Sequence, residues 1–164
     1  APDAETPTPN PSRKREENLM RVDFYQLSRD TAEATLPQIA RNTLKAGERL
    51  LVVSADADQR GRIGEALWAK LPETFLAHVN AGDAHAERQP ILLSDDAKPV
   101  NGAQFLAIAD GQWREGEAPF ARTFYLFDEA SLQAARDCWR MLGTRDGIER
   151  KFWKQDGGRW VEGP

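Results

Sequence analysis

The chain predicts an α/β domain, a mainly parallel sheet with helices on its faces. Strand-like and helix-like segments alternate along most of its length, the order that such sheets require. "RLLVVS" at 49–54 is a continuous apolar run, the mark of a strand covered on both sides. The 164 residues, 40% hydrophobic and 29% charged, suffice for one domain with a real core. Their longest apolar runs are far too short to span a membrane.

Residues 1–19 hold four prolines and no apolar periodicity, so they are expected to be a disordered leader, with Met20 as the native start. The single folded domain is then 20–164. "VDFYQL" (22–27) places Val22, Phe24 and Gln26 on one side and reads as a strand. In "TLPQIARNTLKAG" (35–47), Leu36, Ile39, Ala40, Thr43 and Leu44 form a helical stripe. Thr35 is the expected N-cap, Gln38 its capping-box partner, Pro37 a first-turn residue and Gly47 the C-terminal stop. A second helix is expected over Ala57–Lys70 with Ile63 and Leu67 inward, although Gly61 and Gly64 weaken it.

"TFLAH" (74–78), "PILLS" (90–94), "QFLAIA" (104–109) and "TFYLF" (123–127) read as short strands. Asp128 is placed to cap a third helix, about Ala130–Thr144, with Leu132, Ala135, Trp139 and Leu142 toward the sheet. "KFWKQDGGRWV" reads as a closing strand and turn. The order is that of a Rossmann-like sheet, which raises the question of a nucleotide. The turns "LSRDTAE" and "ADADQRGR" lack a phosphate-cradling glycine cluster, and neither G-x-G-x-x-G nor a Walker A sequence occurs. No nucleotide site and no cofactor are expected, although a nucleotide-binding enzyme of unknown substrate remains the alternative.

Other chemistry is equally sparse. His78, Asp83 and His85 match no zinc-ligand spacing, so no metal is expected. Cys138, the single cysteine, excludes an internal disulfide and sits mid-helix, where a buried, inert thiol is the default. With no secretory signal, the expected location is the cytoplasm. No serine lies in a nucleophile elbow, and no catalytic constellation emerges. The counts of 22 Lys+Arg and 26 Asp+Glu give a net charge of −4, which argues against direct binding of nucleic acid.

Two surfaces remain. Trp68 follows Leu67 and so points about 100° away from it around the helix. It either closes the edge of the core against Phe75 or forms an interface patch with it. The second surface lies in a cationic segment: between Arg136 and Trp160 there are seven basic and four acidic residues. Arg136 and Arg140 flank Trp139 at helical spacing, and Phe152, Trp153, Lys154 and Trp160 are expected nearby. Either the arginine stems pack over the tryptophan, or a cationic rim surrounds an aromatic pocket fit for an acidic peptide with an apolar end.

"VDFYQL", "LWAKLPETFLAH" and "AARDCWRML" followed by "FWKQDGGRW" together resemble the chi subunit of bacterial DNA polymerase III, over nearly all of 21–160. The resemblance implies a Rossmann-like adaptor without catalytic residues. Such a protein joins the clamp loader through the psi subunit and binds the acidic C-terminal tail of single-stranded DNA-binding protein. On this resemblance Arg136 and Arg140 match the basic residues that meet the tail, and Trp139 the aromatic residue between them. The tail site is thus expected at Arg136, Trp139, Arg140, Phe152 and Trp153. Trp68 and Phe75 match the region that meets psi, a divergent equivalent, or an accessory helicase. Where the family often carries a further lysine, near the start of the third helix, this chain has Leu132 and Gln133.

Overall fold

The computed structural model describes residues 20–70, 78–80, 86–115, 120–156 and 158–163. In chain order the elements are β1 (Met20–Gln26), α1 (Ala32–Lys45), β2 (Leu50–Val53), α2 (Ala57–Lys70), β3 (His78–Asn80), β4 (Ile91–Ser94), β5 (Phe105–Ile108), β6 (Arg122–Phe127), α3 (Leu132–Gly143), β7 (Ile148–Asp156) and β8 (Arg159–Glu162). They form one sheet in the order β3-β4-β2-β5-β6-β1-β7-β8, parallel throughout except for the β7–β8 hairpin.

The right-handedness of parallel crossovers decides which face each connection covers. The steps β1 to β2 and β2 to β3 run toward one edge of the sheet, and every later step as far as β7 runs toward the other. Helices α1 and α2 therefore share one face, and α3 must lie on the opposite one. The core divides accordingly. Leu36, Ile39, Ile63 and Leu67 pack with Leu50, Val52, Ile91 and Leu126, while Ala135, Cys138 and Leu142 pack with Val22, Phe24, Leu51 and Phe127. The loops after β4 and β5, which also step toward β7, contribute Ala97, Ala103 and Phe120 to the second group, as handedness requires. Strands β2 and β4 are buried at every residue, which is why they carry no alternation.

Some boundaries differ from expectation. Helix α1 begins at Ala32 with Thr31, not Thr35, as its N-cap: the Thr31 hydroxyl accepts from the Ala34 N–H at 3.1 Å. Thr35 lies one turn on and is buried, its hydroxyl donating to the Thr31 carbonyl at 2.9 Å. Pro37 is accordingly inside the helix, where it removes one backbone bond. Gly47 does stop this helix, with φ at +79°. Asp128 caps a short 3₁₀ turn, Glu129–Ser131, through a reciprocal bond with Ser131, and α3 continues from it. The described part of the strand expected at 74–78 is β3, which starts at His78. Residues 1–19, Phe75, Asp83 and His85 lie outside the described residues.

One buried charge went unread in the sequence. Asp23 is fully buried on the β1 face away from α3. It accepts from Arg21 Nη2 (3.0 Å), Arg122 Nε (2.8 Å) and Trp153 Nε1 (2.9 Å), so the buried charge is met by two cations and an indole N–H. Arg122 also lies over the Phe124 ring, 4.5 Å from its centre. Asp23→Ala is expected to cost about 2–3 kcal/mol, since it strands three donors while the two arginines, roughly one-third exposed, regain water. Urea unfolding measures it, and a loss below about 0.5 kcal/mol contradicts the assignment.

Candidate functional site

Strand β7 runs parallel to β1 with Phe24 beside Phe152 and Gln26 beside Lys154. Because side chains alternate, these four face α3, while Tyr25 and Trp153, paired with each other, face the opposite way. Helix α3 packs on this face through Ala135, Cys138 and Leu142, and a groove lies between it and strands β6, β1 and β7. The groove has a volume of about 520 Å³. Its floor is Phe24, Phe127, Phe152 and Trp139, with Leu132 and Ala135 beside them; Arg136, Arg140 and Lys154 form its rim, and Gln26 completes the lining.

The aromatic floor is packed edge to face. Trp139 meets Phe24 at 5.1 Å and 75°, and Phe152 at 6.2 Å and 88°. Among the described residues three cations line the groove and no carboxylate does, in a chain whose net charge is −4. Arg140 pairs with Asp137 one turn back at 2.5 Å, both largely exposed, an ion pair that a second carboxylate can replace at small cost. Among the described residues Arg136 and Lys154 have no ion-pair partner.

The structure thus gathers Arg136, Trp139, Arg140 and Phe152, as the sequence predicts, but not Trp153. Its ring stacks on Tyr25 at 6.2 Å with Trp160 nearby, bound to Asp23 across the sheet from the groove. The physical reason is the two-residue period of a strand: Phe152 and Trp153 cannot both face α3. Sequence reading missed Phe24, Gln26 and Phe127 as groove residues, since β1 and β6 reach the site only through long-range pairing. Lys154 was expected nearby and is part of the rim. Trp68 is 64% exposed on the flank of α2 while Leu67 is buried; its expected neighbour Phe75 lies outside the described residues.

A second crevice, about 580 Å³, lies at the carboxyl ends of the strands, where the crossovers diverge and nucleotides bind in related sheets. It is lined by Asp30, Glu33, Asp56, Asp110 and Asp128 against Arg29 and Arg62, so a phosphate would meet net negative charge. Burial pushes the Asp110 carboxyl up, but Arg114 and the N–H groups of Ala55 and Gln112 outweigh it and hold the group below the usual carboxylate range. In the first strand-to-helix turn three successive N–H groups, of Ser28, Arg29 and Asp30, converge on the Gln155 side-chain oxygen at 3.0–3.2 Å. Such a nest ordinarily takes an anion; here a β7 side chain fills it. Among the described residues no group of three or more metal-type ligands occurs, and no helix is long and apolar enough to cross a membrane.

Residues 19–149 match the family described as "DNA polymerase III chi subunit, HolC". DNA polymerase III subunit chi of Escherichia coli (strain K12) is 30% identical over 113 residues, which covers 65% of this chain and 75% of that protein.

Cys138, one residue before Trp139 yet buried, takes no part in the groove. Burial pushes its thiol up to about 12, with Glu115 adding to the effect. At pH 8 it is expected to resist iodoacetamide in the folded protein and to react once urea unfolds it. Rapid labelling of the native form contradicts this.

Proposed function

Since the chain belongs to the DNA polymerase III chi subunit family, a family of replication subunits, we propose that it is a non-catalytic adaptor of the polymerase holoenzyme, its α3–β7 groove receiving the acidic C-terminal tail of single-stranded DNA-binding protein. The observation that carries the reading is the groove's composition among the described residues: three cations, no carboxylate and an aromatic floor, on a protein that is acidic overall. Carboxylates of a tail pair with Arg136, Arg140 and Lys154, and its apolar end enters the aromatic floor, where desolvation supplies affinity. Trp68 is the anchor for the second partner, the psi subunit or a divergent equivalent, or alternatively an accessory helicase. It is the most exposed large hydrophobic side chain among the described residues, as befits a surface awaiting cover. A nucleotide-binding enzyme is disfavoured by the acidic crevice and by the anion nest that Gln155 already fills.

The groove reading is tested by titration with a peptide of several aspartates ending in Pro-Phe. Arg136→Ala and Arg140→Ala are each expected to weaken binding by about 1–3 kcal/mol with little change in Tm. Wild-type affinity is expected to fall as salt rises, with a shallower slope in either variant. Equal affinity for wild type and both variants contradicts the site. Trp68→Ala is expected to abolish capture of the psi-type partner while leaving peptide affinity and, within about 0.5 kcal/mol, stability intact. Loss of peptide binding in that variant contradicts two separate surfaces.

A further inference from the structure

Trp139 is only half-buried, yet its ring forms one wall of the groove, and the structure shows what holds it. Arg150, on the same face of β7 as Phe152 but one pair nearer the strand's start, lays its guanidinium 4.2 Å from the centre of the indole. The same guanidinium donates to the Trp139 backbone carbonyl at 2.6 Å. Arg150 therefore grips both the ring and the backbone of one residue, and it is not part of the groove lining. Gly143, at the end of α3, makes room for it: a Cβ there would lie 2.8 Å from Arg150 Nη1 and 3.0 Å from Cζ.

We propose that Arg150 is a positioning residue for the tail groove, holding Trp139 in its binding orientation without touching the ligand, and that Gly143 is the space that permits it. The proposal rests on the groove reading above and adds a residue to it. The mechanism is pre-organisation. A half-buried indole without the cation has other rotamers open to it, and ordering it on binding costs affinity. Clamped between Arg150 and the rings of Phe24 and Phe152, the ring is in place before the ligand arrives. A cation over an indole face is the strongest of the common cation–aromatic pairings. The bond to the carbonyl also places a cation near the carboxyl end of α3, where the helix dipole favours it.

Two variants separate this role from general charge. Arg150→Ala removes the clamp. Gly143→Ala keeps the charge but pushes the guanidinium aside, and alanine favours the helix, so the fold is retained. Each is expected to weaken the Pro-Phe-ending acidic peptide about five- to thirty-fold, with the salt slope of wild type. Lys151→Ala, which removes a charge from the opposite face of the same strand, is expected to leave affinity unchanged. Side-chain relaxation of Trp139 in the free protein, by NMR, is expected to show a fixed ring in wild type and a mobile one in both variants. Unchanged peptide affinity in both variants overturns the proposal, as does a salt slope reduced in Arg150→Ala in the way that Arg136→Ala reduces it. If wild type fails to bind the peptide, the groove reading falls. The free-protein relaxation then judges the clamp alone, and a ring equally fixed in all three proteins refutes it.

Discussion

The handedness of a single crossover governs the site. From β6 the chain passes over β1 to reach β7, and a right-handed path places α3 on the face opposite α1 and α2. There α3 packs against the sheet through Ala135, Cys138 and Leu142. Phe152 of β7 is only partly covered on this face and meets Trp139 across the groove floor. The groove is floored by Phe24, Phe127 and Phe152 and walled by Trp139. Nothing extra had to be added to the fold to make an apolar hollow. Three cations on its rim then set which kind of ligand it suits.

The four residues of "FWKQ" show how tightly the strand period distributes roles. Phe152 and Lys154 face α3 and line the groove. Trp153 and Gln155 face away; one closes over Asp23, the other fills the turn after β1. Arg29 rests against Gly158 of the β7–β8 turn, so the hairpin and that turn are joined by more than one contact. Trp153 and Gln155 therefore help to seat β7, although neither lines the groove. The crevice at the strand ends follows the same economy. Thr31 and Asp128 serve as caps and Asp56 accepts the Asp58 N–H, so the donors that would greet a phosphate already have partners.

Much of this was legible in the sequence, for local reasons. Helix α2 was bounded at Ala57 and Lys70 by its inward pair Ile63 and Leu67, and Leu67 at once placed Trp68 on the flank. Arg136, Trp139 and Arg140 lie together because one helical turn joins them. What was not legible depends on pairing between distant strands. The face that Trp153 takes is set by its register with Tyr25, and the partners of buried Asp23 come from β1, β6 and β7 at once. Thr31 was passed over as a cap because the apolar stripe begins later, at Leu36, while the buried small residue Ala32 gives little signal.

A tail bound in the groove shares one face of β1 and β7 with α3. Titrating isotope-labelled protein with the acidic peptide and following ring signals by NMR tests it directly. The account predicts perturbation centred on Phe24, Phe127, Trp139 and Phe152, with Tyr25, Trp153 and Trp160 scarcely moved. Perturbation centred on Tyr25, Trp153 and Trp160, or on the carboxylates at the strand ends, would contradict it.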